Sequence, residues 1–336
     1  MPKVTIYSIA EDLGIHASTV SRAFSRPELV RSDVRARVLE TAEHLGFQPS
    51  RTAQRLATGN TGAIGLLVPD ITNPFFPPMI RALQAAAGDS TVILVDAEGR
   101  STDEPALIAR LRAQVDGILL ASPLASDEAL RAALGATPAV VLNREVDGLP
   151  SVSCDTTGAL QQAAEHIYAL GHRRIALLTG TVGSWAAGQR RAAIRSWAEV
   201  TDVELTELGP FDASYRGGRE AALEVLKTDA TAAFAFDDLT ACGVIAGLSE
   251  AGCHVPEQRS VVGCDDVLLA RVLTPTLSTV STPDDQLAEE AIAALRAAID
   301  GDTPRSTLLD GVFTPRRSTG IAPGPGLCAT RISEPL

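Results

Sequence analysis

Two groups of side chains in this 336-residue chain have the types and spacing for recognition chemistry. The first is Ala17, Ser18 and Arg22. On a helix starting at Ala17 they point away from the face shared by Val20, Ala23 and Phe24. A helix N-terminus set in the major groove of DNA presents its first exposed side chains to base edges. There Arg22 can donate two bonds to a guanine, Ala17 can touch a thymine methyl, and Ser18 can pair with almost any base edge. Thr5, Tyr7, Thr19, Ser21 and Arg51 have the hydroxyls and charge to hold flanking phosphates. The second group follows a series of short apolar runs: Asp70, Asn73, Phe75 and Phe76; Asn143 and Arg144; Trp185 and Arg190; Asp237 and Asp238; Asp265. Rings cover the apolar faces of a sugar, while carboxylates, amides and a guanidinium pair with hydroxyls that would otherwise be buried unpaired. Some of these residues have plainer roles open to them. Asp238 suits the cap of a helix beginning near Leu239, Phe75 a core position, and Arg144 a salt bridge at a cleft rim.

The elements that must carry these groups follow from periodicity. Ile6, Ile9, Ala10 and Leu13 make a one-faced helix stopped by Gly14. A tight turn leads to the helix that starts at Ala17, and Arg26-Pro27 breaks the chain after it. Ser32 is the expected N-cap of a third helix, with Val34, Val38, Ala42 and Leu45 on one face and Gly46 closing it. Two short helices joined by a glycine turn, with a supporting third, form a helix-turn-helix unit; a helical hairpin that only packs on something else has the same pattern. Between Pro49 and Gly59, Ser50 can cap a segment with Ala53, Leu56 and Ala57 on one side. At about eight residues it is too short to be stable as a free helix. Such a segment suits a linker that orders on DNA, with Ala53 and Leu56 facing it and Leu56 wedged into the minor groove. A linker with Leu56 simply buried is the other reading.

After residue 60 the apolar runs 63–68, 91–96, 116–121, 138–142, 174–179, 231–236 and 259–263 alternate with helical patterns such as 157–170. Strands alternating with helices specify parallel α/β sheets, and the 276 residues involved exceed one core, so two α/β halves are expected. Open parallel sheets bind ligands at the carboxyl ends of their strands, where the second group of residues falls.

The net charge of −12 argues against nucleic acid until it is divided. Residues 1–60 hold eight Lys/Arg against six Asp/Glu, net +2; the rest holds 21 against 35, net −14. A small basic head on an acidic body confines DNA contact to the head. The five cysteines (154, 242, 253, 264 and 328) never occur as Cys-x-x-Cys and read as reduced thiols. His166, His172 and His254 have no partner at metal spacing, so no metal site is expected. No apolar run reaches the roughly eighteen residues of a spanning helix, and no signal-peptide core opens the chain, which points to a cytoplasmic protein without a membrane partner. Nucleophile elbow, phosphate loop, zinc-protease motif and dinucleotide fingerprint are all missing, so neither a catalytic residue nor a cofactor is expected. Asp237 and Asp265 as a glycosidase pair, or the body as a sugar-transport binding protein, would each leave residues 1–60 without a purpose.

Val4-Thr5-Ile6-Tyr7, Ala10-Glu11, Gly14, Thr19-Val20-Ser21-Arg22, Pro49-Ser50-Arg51, Ala53 and Leu56-Ala57 closely resemble the head and hinge of the LacI/GalR family of transcriptional repressors. The likeness continues through Ile64-Gly65-Leu66-Leu67-Val68-Pro69-Asp70-Ile71-Thr72-Asn73-Pro74-Phe75-Phe76, Gly171-His172-Arg173-Arg174-Ile175-Ala176, Ser260-Val261-Val262-Gly263-Cys264-Asp265-Asp266 and Arg316-Arg317-Ser318-Thr319, covering nearly the whole chain. His16 departs from the family's usual Ser, and Asp155-Thr156-Thr157-Gly158 follows its usual turn only loosely. The resemblance implies a helix-turn-helix head at 1–48, a hinge at 49–60 and an effector-binding and dimerisation domain at 61–323. That domain would divide into subdomains 61–156 plus 284–311 and 157–283 plus 312–323, joined by three crossovers, before a flexible tail at 324–336. It implies a homodimer on palindromic operator DNA, with a small-molecule effector at Asn73, Phe75, Phe76, Arg144, Arg190, Phe211, Asp237 and Asp265. Asn143 replaces a frequent Asp, Thr282 a frequent Gln, and Asp237 a frequent Asn. The pocket is thus ribose-like without being a plain copy. A pentose-like monosaccharide is the expected effector, and Trp185, able to stack on a second ring, keeps a nucleoside or purine base as the alternative.

Overall fold

The computed structural model describes residues 4–25, 29–47 and 61–324. The hinge segment with Arg51, Ala53 and Leu56, and the tail beyond 324, lie outside the described residues. The head is three helices, α1 (Ile6–Leu13), α2 (Ala17–Ser25) and α3 (Ser32–His44). Thr5 opens α1, its backbone N–H donating to Ser8 Oγ at 3.3 Å. Gly14 closes it at φ 62°, a left-handed cap that favours glycine. Ile9, Ala10, Val20, Ala23, Val38 and Ala42 form the head's core, the faces that periodicity assigns to it. Ser32 does not cap α3. It is the first helical residue, and Arg31 before it folds onto Asp33 through Nε at 3.1 Å and Nη2 at 3.0 Å. The first turn carries an acid, Asp33, whose charge suits the positive end of the helix dipole, but no side chain caps the helix.

The body holds two six-stranded sheets. The first runs β11-β5-β4-β3-β1-β2, from β1 (Ala63–Val68), β2 (Thr91–Asp96), β3 (Gly117–Ala121), β4 (Ala139–Leu142), β5 (Ser151–Asp155) and β11 (Thr307–Asp310). The second runs β12-β10-β9-β8-β6-β7, from β6 (Arg174–Leu178), β7 (Glu204–Leu208), β8 (Ala232–Phe234), β9 (Ser260–Asp265), β10 (Ser278–Ser281) and β12 (Val312–Thr314). Every pairing is parallel except β10 with β12.

Helices cover both faces of each sheet, which is why the central strands read as unbroken apolar runs. Around the first sheet pack α4 (Phe76–Ala87), α5 (Glu104–Leu111), α6 (Asp127–Leu134) and α12 (Asp284–Asp300); around the second, α7 (Thr157–Ala169), α8 (Trp185–Ala198), α9 (Tyr215–Leu226), α10 (Asp238–Glu250) and the short α11 (Leu268–Val272). Along β1, Ile64, Leu66 and Val68 enter one core with α4 and α12, whereas Ala63 and Leu67 enter the opposite core with α5 and α6. The second sheet divides likewise, Ile175 and Leu177 to one side, Ala176 and Leu178 to the other. The chain passes from one sheet to the other after β5, after β10 and between β11 and β12.

Two glycines let α9 and α10 cross in close contact. A Cβ at Gly218 would run into the Thr240 carbonyl and lie 2.9 Å from the Gly243 Cα. Backbone cannot yield as a side-chain tip can, so Gly218→Ala is expected to destabilise the protein by about 1–3 kcal/mol. Urea denaturation reads this directly, and an unchanged midpoint would contradict it. Among the described residues no helix is long and apolar enough to cross a membrane, and no cluster of His, Cys, Asp and Glu could hold a metal.

Candidate functional site

A cavity of about 590 Å³ lies where the carboxyl ends of both sheets face one another. Each half contributes residues placed by strand ends and helix starts. After β1, Asp70 Oδ1 accepts from the Thr72 N–H (2.8 Å) and hydroxyl (2.6 Å), and Asn73 Oδ1 accepts from the Phe75 N–H at 3.0 Å. These local bonds start α4 and hold Phe75 edge-to-face on Phe76, centroids 5.1 Å apart. Phe76 is 5% exposed and belongs mainly to the core, whereas Phe75 is half-buried.

After β4, Asn143 adopts φ 52°, and its Nδ2 is buried without a partner in the cavity wall. Arg144, expected at the ligand, turns away from it. It does not line the cavity: its guanidinium donates to Pro123 O (2.6 Å) and Ala125 O (2.8 Å) and pairs with Asp127 at 2.5 Å. The fully buried Glu104 accepts from the N–H groups of Leu124 (2.9 Å) and Ala125 (2.8 Å), so these two charges pin the rim loop that supplies Ser122 and Leu124 to the cavity. Burial raises the Glu104 pKa, against the pull of those two N–H groups.

In the second half Trp185 opens α8, and Ser184 caps that helix by accepting from the Ala187 N–H at 3.3 Å. One turn on, Arg190 crosses the cavity base, Nη2 donating to Asp265 Oδ1 at 2.8 Å and Nη1 to Phe236 O at 2.6 Å. Its carbon centre stands 5.0 Å from the Phe236 ring centroid. Asp265 sits at φ 117°, a strained conformation for a residue with a Cβ. Burial pushes its carboxyl up to about 7; Arg190 pulls the other way, and Asp237 adds to the rise.

Asp237, not Asp238, caps α10: its Oδ1 accepts from the Thr240 N–H at 2.7 Å, while Oδ2 is buried without a partner. Asp238 is the first residue of the helix and is completely buried, accepting from Thr279 Oγ1 (2.6 Å) and the Val267 N–H (3.0 Å). It ties the helix to β10 and to the loop after β9, and burial raises its pKa well above the usual carboxyl range.

Of the ten cleft residues expected from sequence, Asn73, Phe75, Phe76, Asn143, Trp185, Arg190, Asp237 and Asp265 line this cavity. Phe211 does not: it packs against the core between the second sheet and α9 and α10. Sequence reasoning missed Ser122, Glu145, Cys154, Asp155, Thr181, Gln189, Asp212, Ser214 and Phe236, while Thr282, noted only as a departure, also lines the wall. Cys154 is buried, its thiol pushed up to about 12 by burial, which keeps it neutral. His172 is a packed residue, its ring bonded to Thr231 Oγ1 (2.8 Å), Ser260 Oγ (3.0 Å) and Gly320 O (3.0 Å).

On the head, Thr5, Tyr7, Ser18 and Arg22 are exposed, while Thr19 and Ser21 are half-buried. Ala17 packs partly against the head's core. The His16 carbonyl accepts from the Thr19 N–H at 2.9 Å, and its ring Nδ1 lies 3.3 Å from Ser18 Oγ. The turn thus starts α2 without the serine usual in the resembled family.

A model described as a periplasmic binding protein-like domain matches residues 164–319. The chain is 30% identical over 320 residues to catabolite control protein A of Priestia megaterium, spanning 91% of this chain and 96% of that one. It is similar to the lac repressor dimer bound to operator and the anti-inducer ONPF, with a TM-score of 0.82, 25% identity and coverage of 95% of this chain and 99% of that one. A LacI family transcriptional regulator from Enterococcus faecium with bound ribose aligns with a TM-score of 0.70 at 29% identity, over 77% of this chain and 99% of the other.

Proposed function

The chain belongs to the LacI/GalR family and is a DNA-binding transcriptional regulator, and from that premise we propose that it is a repressor whose hold on a palindromic operator is set by a sugar-like ligand in the cavity. The observation that carries this is the cavity itself. It is walled by both halves, with rings, carboxylates, an amide and a guanidinium at strand ends, so a ligand touching both walls has a different affinity for the open and closed arrangements. The relative with bound ribose supports a pentose-like ligand.

In this mechanism a homodimer, acting in the cytoplasm with the DNA it reads, sets two heads on two half-sites. Residues 1–48 act as the head, 49–60 as the hinge and 61–323 as the effector and dimerisation domain. Ala17, Ser18 and Arg22 read bases, while Thr5, Tyr7, Thr19, Ser21 and Arg51 hold phosphates. Closure around the ligand alters how the paired hinges meet, Ala53 and Leu56 withdraw from the minor groove, and operator affinity falls. The genes controlled are those for uptake or breakdown of the ligand.

A thermal-shift screen of the full chain against pentoses, hexoses, nucleosides and bases tests the ligand assignment, since a ligand at a hundred times its Kd adds about 2.7 kcal/mol of stability. A pentose hit that also lowers operator affinity in a gel-shift assay is the expected result. A nucleoside is the second reading, favoured by a cavity of about 590 Å³ with the Trp185 ring in its wall. Leu56→Ala is expected to weaken specific operator binding on the order of tenfold or more, with ligand affinity unchanged. Equal operator affinity in the two proteins would remove Leu56 from the minor groove.

A further inference from the structure

Among the described residues lining the cavity, six are acids (Asp70, Glu145, Asp155, Asp212, Asp237 and Asp265) and one is a base, Arg190. Arg190 is already engaged by Asp265 and the Phe236 carbonyl. Asp70 and Asp155 are partly occupied as well, accepting from the backbone N–H groups of Thr72 and Thr157 at 2.8 Å each. The exception at depth is Asp237. Its residue is 2% exposed, its Oδ1 is held by the cap of α10, and its Oδ2 has no partner. From the other half, the buried Nδ2 of Asn143 has none either. An unmet acceptor thus stands on one wall, in a cavity with excess negative charge, and an unmet donor on the other. A buried carboxylate oxygen without a partner is costly, and a charged donor satisfies it more strongly than a neutral one.

We propose that the effector is a polyhydroxylated ring bearing a basic nitrogen, an amino or imino sugar, with its protonated amine at Asp237 Oδ2 and an oxygen acceptor at Asn143 Nδ2. The inference rests on the sugar-cleft reading above and makes it narrower. A neutral sugar can donate a hydroxyl to Asp237 but leaves the charge excess in place. A protonated amine meets the hydrogen bond and the charge together. Burial raises Asp265 to about 7 against the pull of Arg190, and the neighbouring Asp237 adds to that rise.

The test is calorimetric titration of the full chain with two matched pairs: 1,4-dideoxy-1,4-imino-D-ribitol against 1,4-anhydro-D-ribitol, and D-glucosamine against D-glucose. The amine of at least one pair is expected to bind roughly tenfold tighter than its neutral partner, the advantage of a charge-assisted over a neutral hydrogen bond. Asp237→Asn should fold, because asparagine is also a good N-cap, and should lose that preference. Neutral members binding as tightly as the amines would overturn the amine while leaving the sugar cleft standing. An amine preference that survives in Asp237→Asn would overturn the role of Asp237. No binding by any of the four compounds would overturn the amine effector, while a pentose hit in the thermal-shift screen would keep the sugar cleft.

Discussion

Replacing Asp265 with alanine should weaken effector binding by on the order of a hundredfold or more, the scale of losing one partner of a buried hydrogen-bonded charge pair. The loss has two sources. The ligand forfeits a carboxylate in the cavity wall, and Arg190, side chain 14% exposed, keeps only the Phe236 carbonyl and becomes free to swing into the ligand space. Asp265→Asn separates them, since its amide oxygen can still accept from Arg190 while the charge is gone. Asparagine should therefore preserve melting temperature better than alanine does, yet still bind the effector poorly. Wild-type affinity in either variant would remove Asp265 from the site. The same carboxyl sets a pH dependence. Its folded value of about 7 lies above the ordinary 3.8, so its contribution to stability is fully present below about 3.8 and is lost as pH rises through about 7. A ligand that donates to the carboxylate has the opposite slope, binding more tightly as pH rises through the same range. Calorimetry and thermal melts between pH 5 and 8 should thus move in opposite directions.

Arg259→Ala is expected to be the most destabilising single change in the second half, at about 3–5 kcal/mol. The residue is 2% exposed, yet no carboxylate is among its hydrogen-bond partners. It donates instead to the carbonyls of Val225 (3.1 Å), Thr228 (3.0 Å) and Ala230, which gather at the end of α9 and in the loop into β8. The negative end of the helix dipole and these three oxygens take the place of a counter-ion. Alanine would strip this donor from the Thr228 and Ala230 carbonyls, while Val225 O keeps the Thr228 N–H (3.1 Å) and hydroxyl (2.8 Å), and it would open a cavity beside them. A drop in the denaturation midpoint corresponding to less than about 1 kcal/mol would mean that water replaces the guanidinium at little cost.

Part of what sequence reasoning missed, Cys154, Asp155, Asp212 and Ser214, traces to two strands that went unread. The central strands are legible because helices cover both faces and every side chain on β1 and β3 is buried. Ser151-Val152-Ser153-Cys154-Asp155 is a strand too, but Val152 is its one branched apolar core residue, and the other buried positions are serine and cysteine. Glu204–Leu208 stands at a sheet edge, and three of its five residues are polar. Once those two strands go unseen, the loops at their carboxyl ends lose their meaning, and with them Asp155, Thr156, Asp212 and Ser214.

The other corrections turn on single dihedrals and helix phase. Asn143 and Arg144 are neighbours, but the left-handed turn at Asn143 is followed by a guanidinium bonded to the rim loop outside the cavity wall. In Asp237-Asp238 either residue has the chemistry of a cap. Which one serves depends on where the helix begins, and the first helical residue is Asp238. No composition rule distinguishes the two.

The three passages of the chain between the sheets bear on how such a protein can change over generations. The head is one uninterrupted stretch, so exchange of a single gene segment near the hinge could give the sensor a new set of target sites. Neither half of the sensor has that freedom. The first sheet is completed by β11 and covered by α12, both encoded after the whole run from β6 to β10. A crossover anywhere in that run mixes parents in both sheets at once. Head and whole sensor can therefore be exchanged as units at the hinge, whereas neither half of the sensor can be exchanged by a single crossover.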